Sequence, residues 1–171
     1  TSDAPNSANR VISFSANDGT VDSATAQKTV AIQAVNDAPV ITVPSQITID
    51  SDNAVTLTGI SFADPDAGAG IVTATFSVPK GALTGISGSG VTISGNGTTT
   101  LVATGTVADL NAYIAASNLQ YTKAVGPAET VTMAIGINDN GNTGAGGARS
   151  DTDTVTLDIT VPVSLSAFSV E

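Results

Sequence analysis

Val35-Asn36-Asp37-Ala38-Pro39-Val40 is the stretch on which the reading of this chain turns. A run of alternating β-formers from Thr29 to Val35 leads into Asn-Asp. The proline that follows keeps the backbone extended, because its ring fixes φ and disfavours a helical residue before it. A second strand-like run, Val40 to Ile49, begins at once. The stretch therefore reads as a taut junction between two β-units, with each side chain of the joint at a nearly fixed place. Carboxylates in such a position suit a cation.

Composition agrees with β-structure on both sides of the joint. Hydrophobic residues make up 41% of the chain but aromatics only 4%, so a core has to be built in thin layers of Val, Ile, Leu and Ala. The apolar residues are largely β-branched, and 17 glycines and seven prolines punctuate them, a pattern that favours short strands and tight turns over helices. The net charge is −10, from 15 acidic and five basic residues, which argues against nucleic acid and anionic membranes as partners. With no cysteine and no histidine, disulfides, thiolate chemistry and the commonest general base and metal ligand are all missing. No run approaches the ~20 apolar residues of a membrane span, and no basic-then-apolar leader opens the chain, so membrane insertion is not expected. The abrupt start at Thr1-Ser2-Asp3 reads as an internal piece of a longer exported protein. The low lysine content and the abundance of Thr, Ser, Asn and Gly suit the extracellular space or a bacterial cell surface.

Outward from the joint, strand-like segments follow at close spacing. Upstream, Arg10 to Phe14 and Thr29 to Val35 form a hairpin-like pair around Asn17-Asp18-Gly19, too short to bury a core of its own. Downstream, strands are expected at Val40 to Ile49, Val55 to Phe62, Ile71 to Val78, Ala82 to Ile86, Val91 to Ser94, Thr99 to Thr106, Thr130 to Ile137 and Thr154 to Val161. Regular short strands with turn residues between them suggest a sandwich. Val107, Leu110, Tyr113 and Ile114 instead follow helical spacing, with Thr106 as N-cap and Asp109 at the third position, so one short helix belongs there. Tyr113 and Tyr121 fall on periodic apolar positions and read as core.

The hairpin pattern occurs twice. Ser13 to Gly19 matches Ala134 to Asn140, and Thr29-Val30-Ala31-Ile32 matches Thr154-Val155-Thr156-Leu157. Two copies of a closing hairpin imply a repeat array. The chain then divides into the last strands of a preceding unit (1–37), one whole unit (38–161) and a stub (162–171) that follows Pro162 as Val40 follows Pro39.

Val35-Asn36-Asp37-Ala38-Pro39-Val40, Phe62-Ala63-Asp64-Pro65-Asp66, Asp109-Leu110-Asn111-Ala112, Leu119-Gln120-Tyr121-Thr122 and Ile137-Asn138-Asp139-Asn140 together resemble the cadherin-like repeats of giant bacterial surface adhesins. The resemblance covers nearly the whole chain through short motifs. It implies an all-β, immunoglobulin- or cadherin-like sandwich in tandem array, often with calcium at the joints. The acidic Asp-Arg-Glu trio of animal cadherins is absent, which speaks against a three-calcium joint.

A topological argument reaches calcium independently. If the linker enters one pole of a seven-stranded sandwich, the loops Asp64-Pro65-Asp66 and Asn138-Asp139-Asn140 lie at that same pole. Asp37, Asp64, Asp66, Asp139 and either Asp151 or Asp153 then converge near Asn36. Ca²⁺ takes six to eight oxygens from carboxylates, amides and main-chain carbonyls, which is what this set offers. The other reading of the same residues is that Asx-Gly and Asp-Pro are ordinary turn formers. A glycosidase reading fails for want of an aromatic-lined cleft between two carboxyls. The expectation is a calcium-stiffened, non-enzymatic spacer of a cell-adhesion protein whose partners are neighbouring repeats of the same long chain. Two alternatives stay open: a module that binds sugar or protein, and a subunit that polymerises with other copies by strand complementation.

Overall fold

A computed structural model describes residues 5–160. Two strands, β1 (Arg10–Phe14) and β2 (Ala26–Val30), form an antiparallel ribbon by themselves. Eleven more follow: β3 (Val40–Thr42), β4 (Gln46–Ile49), β5 (Val55–Thr56), β6 (Ser61–Ala63), β7 (Ile71–Ser77), β8 (Ala82–Thr84), β9 (Thr92–Ser94), β10 (Thr100–Thr106), β11 (Gln120–Thr122), β12 (Glu129–Asn138) and β13 (Ser150–Ile159), with the helix α1 (Val107–Ala115) between β10 and β11. The expectation of an all-β sandwich with one short helix is met. The expected stub at 162–171 lies outside the described residues.

One layer is a six-stranded sheet in the order β4-β13-β12-β7-β10-β9. Strict alternation decides which face is covered: Val72, Ala74 and Phe76 of β7, Leu101 and Ala103 of β10, Val131, Met133, Ile135 and Ile137 of β12, and Val155, Leu157 and Ile159 of β13 are all buried. Thr73, Thr75, Thr132 and Thr156, with Val102, Ala134, Gly136 and Asp158, occupy the positions between them. The ribbon β3–β6, the sheet β5-β11-β8 and α1 pack over this face and share its core, with Ile41, Phe62, Leu83, Leu110, Tyr113, Ile114 and Tyr121 among the buried side chains. Helix α1 begins where expected, with the Thr106 hydroxyl accepting from the Asp109 N–H at 3.1 Å.

Several strands differ from the sequence reading. Val40 to Ile49 breaks into β3 and β4 around Val43-Pro44-Ser45, since proline cannot donate to a ladder. The break lets the chain change sheets: β3 pairs antiparallel with β6, while β4 runs parallel to β13. Val55 to Phe62 breaks at Gly59, which adopts φ +78° against the ring of Pro44. Between the joint and Ile159 there are thus eleven short strands where eight strand segments were expected. In the first hairpin the second strand is Ala26–Val30, earlier than Thr29 to Val35. Ser13 pairs with Gln27 and Ala134 with Thr154, so the counterpart of Thr154 is Gln27, two residues before the match made on sequence.

The turns of the two hairpins nevertheless share two side-chain bonds. Gly19 N–H donates to Asn17 Oδ1 and Asn140 N–H to Asn138 Oδ1, both at 2.7 Å. Thr20 N–H donates to Asp18 Oδ1 at 2.9 Å, and Gly141 N–H to Asp139 Oδ1 at 2.7 Å. What differs is the setting. The β12–β13 hairpin is buried between β7 and β4, whereas every residue of β1 and β2 is exposed, including Ile12 at 53% and Phe14 at 54%.

Candidate cation site at the joint

The linker is docked along its length before any ion is considered. Asn36 N–H donates to Ala145 O and Ala145 N–H to Ala34 O, each at 2.9 Å, so Val35 forms a parallel bridge with Ala145 in the loop between β12 and β13. Gly144 makes this approach possible. A Cβ there would lie 2.7 Å from Asn36 N and from the Val35 carbonyl carbon.

Asn36 is buried, and its side-chain orientation is determined by its neighbours. Its Nδ2 donates to the Asp139 carboxylate and, at 2.8 Å, to Gly147 O. Two acceptors on one side require the nitrogen there, so Oδ1 must face the other way. Asp139 is fully buried and further accepts Gly141 N–H and Arg149 N–H on Oδ1 at 2.7 and 2.8 Å. Burial works to raise its pKa, but the N–H bonds from Arg149 and Gly141 and the Asn36 amide outweigh that and hold it below the ordinary carboxylate value.

The loop after β6 reaches the same place. Asp66 Oδ2 accepts the main-chain N–H of Asp37 at 3.1 Å, and the Asp66 carbonyl accepts the Thr143 hydroxyl at 3.0 Å. Asp64 Oδ1 accepts the N–H groups of Asp66 and Ala67 at 3.1 and 2.9 Å, the self-bonded turn that Asp-Pro sequences favour. Burial pushes the Asp64 pKa up, and the adjoining Asp66 carboxylate adds to the rise.

Each of these three side chains therefore has one polar atom held by the framework and one oxygen left over. Asn36 Oδ1, Asp64 Oδ2 and Asp66 Oδ1 are buried and have no hydrogen-bond partner among the described residues. Such acceptors are costly to leave unpaired, and two of them belong to carboxylates. All five basic residues are described, and their ion pairs, Lys80–Glu129 and Lys123–Asp52, lie elsewhere. Three orphaned oxygens with no nitrogen or sulfur donor fit a hard cation such as Ca²⁺.

Of the six residues read from sequence as metal ligands, Asn36, Asp64 and Asp66 present such an oxygen. Asp37 takes part through its N–H, with a half-buried side chain. Asp139 is brought to the site as expected, but as the anchor that orients Asn36. Asp151 is displaced from it: its Oδ2 accepts Ile41 N–H at 2.9 Å, because β13 passes under the middle of β3 and not under the linker. Asp153 bonds the following N–H, of Thr154, at 2.7 Å. No three carboxylates among the described residues are grouped to enclose an ion by themselves, so an ion here would depend on the Asn36 amide and on main-chain or water oxygens as well. Gly144 and the loop 143–147 were not singled out on sequence; only a run of glycines hinted at them.

No family model matches the chain, and no curated protein matches it. Among solved structures, AggA, the major subunit of aggregative adherence fimbriae type I from Escherichia coli, is similar over 76% of this chain and 99% of that chain, at 16% identity and a TM-score of 0.34. Fold and site together define a layered β-sandwich with three unpartnered oxygens, among the described residues, where the entering chain docks.

Proposed function

We propose that this chain is a structural spacer module of an exported bacterial adhesin or surface filament, stiffened at the joint by calcium and without catalytic chemistry of its own. One observation carries the reading: Asn36 Oδ1, Asp64 Oδ2 and Asp66 Oδ1 are buried without a partner among the described residues where the linker enters the sandwich. Asn36 comes from the linker and the two aspartates from the β6–β7 loop, so an ion bound to all three ties the entering chain to the sandwich body. Bound Ca²⁺ would supply the missing charge compensation there. The chain's own residues supply the rest: Asp139 orients Asn36, and the N–H groups of Asp37, Asp66 and Ala67 hold the aspartates in place. In this reading residues 1–37 close a preceding unit of the same kind, as their turn geometry supports.

The exposed apolar side chains Ile12, Phe14 and Val30 favour a second reading, a subunit whose β1–β2 ribbon is completed by strands of another copy. Thermal unfolding in calcium and then in chelator tests the first. At a calcium concentration of 100 times Kd, binding to the folded state adds about 2.7 kcal/mol. That corresponds to a rise of about 5–10 °C for a domain of this size. An unchanged midpoint would leave a spacer without an ion. Sedimentation of the same samples separates the second reading, which requires mass to grow with concentration.

A further inference from the structure

The ribbon β3–β6 carries both halves of the joint: the linker runs into β3, and β6 runs out into Asp64-Pro65-Asp66. Its central pair is Ile41 opposite Phe62, both buried. In an antiparallel ladder every second pair turns its N–H and C=O groups away from its partner strand. On a two-stranded ribbon those groups have no third strand to meet, and buried ones need a partner. Side chains from two different elements provide it. Ile41 N–H donates to Asp151 Oδ2 of β13 at 2.9 Å. On the opposite edge, Phe62 N–H donates to Asn111 Oδ1 and Asn111 Nδ2 donates to Phe62 O, both at 2.8 Å. The Asn111 amide thus makes the two bonds that a neighbouring strand would make. It is carried on α1, itself anchored in the core by Leu110, Tyr113 and Ile114.

We propose that Asn111 and Asp151 are positioning residues for the cation site, a two-sided clamp that sets where the linker and the acidic loop stand relative to each other. This rests on the cation reading of the joint given above. Asn111's partner Phe62 lies two positions before Asp64, and Ile41 four positions after Asp37, so play at the ribbon's middle passes directly to the orphaned oxygens. The clamp also gives Asp151 a role: its Oδ2 holds Ile41 N–H and its Oδ1 accepts Thr152 N–H.

The test uses the full chain and two readouts. Hydrogen exchange in chelator follows the amides of Asp37, Asp66 and Ala67, which are bonded to Asp66 and Asp64. Asn111→Ala is expected to speed them about tenfold, the effect of losing one to two hydrogen bonds, while amides of β12 and β13 keep wild-type rates. Calcium titration is expected to show about tenfold weaker binding for Asn111→Ala and Asp151→Ala. Asp151→Asn keeps an oxygen for Ile41 N–H and gives up only the local acceptor of Thr152 N–H, so it is expected to bring both readouts closer to wild type than Asp151→Ala does. Wild-type exchange and affinity in Asn111→Ala would overturn the proposal. So would an Asp151→Asn variant that binds calcium as poorly as Asp151→Ala, since that marks Asp151 as a ligand. If Asn111→Ala fails to fold, the Asp151 pair decides. If the wild type takes up no calcium yet the loop amides still respond, the clamp stands and the cation reading falls.

Discussion

Substituting Gly144 by alanine should release the linker without unfolding the sandwich. Gly144 has φ +136°, and a Cβ would stand 2.7 Å from Asn36 N and from the Val35 carbonyl carbon and 3.2 Å from the Ala34 carbonyl carbon. All three are main-chain atoms, so no side chain can rotate out of the way. Staying docked costs the overlap and about 1–3 kcal/mol of backbone strain. Undocking gives up the pair of bonds between Asn36, Ala145 and Ala34, about 1 kcal/mol each. It also gives up the Asn36 amide contacts to Asp139 and Gly147, together worth about as much again. The variant therefore loses about 2–4 kcal/mol of linker docking, which is at least a roughly 30-fold rise in the exchange of the Asn36 and Ala145 amides. Hydrogen exchange followed by NMR reads this directly. Gly97→Ala is the control, because Gly97 also has positive φ, +76°, but open space around it. That variant should leave the linker amides unchanged. If Gly144→Ala exchanges at Asn36 and Ala145 as slowly as wild type, the docked linker does not depend on close approach and the account of the joint fails.

Two further outcomes follow from the same geometry. Asp139 has a depressed folded-state pKa, so its contribution to stability is present above the ordinary value near 3.9 and is lost as pH falls through the lowered one. Urea midpoints measured from pH 7 down to pH 2 should fall below about pH 4; Asp139→Asn should begin lower at pH 7 and fall less steeply, and parallel curves would refute the assignment. The double substitution Ile12→Ser, Phe14→Ser should leave the main unfolding transition within about 0.5 kcal/mol of wild type, because those side chains are exposed and lie outside the buried core. A clear drop in the denaturation midpoint would mean that the ribbon is buried in solution.

The elements that were legible in the sequence are those with strong local signals. Alternation marked β7, β10 and β12 because each has one covered face and one threonine-rich face, and a one-residue slip would invert them. Helical spacing with a capping threonine marked α1. The turn pattern at Asn17-Asp18 and Asn138-Asp139 revealed the repeated hairpin, since Asx side chains dictate their own backbone bonds. Strand ends were less legible: β3 and β4 read as one run until Pro44 is seen to separate two sheets, and the three-residue β11 carries too little periodicity to announce itself.

By itself, the order of residues determined a β-sandwich chain with one short helix, an extended Asn36-Asp37-Ala38-Pro39 segment and an acidic, histidine-free composition, because strand propensity, proline geometry and charge are properties of short segments. Which oxygens are left over at the joint was decided only by tertiary structure. Asp64, Asp66, Asp139 and Asp151 are alike as residues, yet the distant Asn36 amide takes one oxygen of Asp139 while Gly141 and Arg149 N–H take the other, Ile41 N–H takes one oxygen of Asp151, and one oxygen each on Asp64 and Asp66 has no partner among the described residues. A hydrogen-bond donor from a hundred residues away has no local trace in sequence, and it is such donors that separate a ligand from a brace.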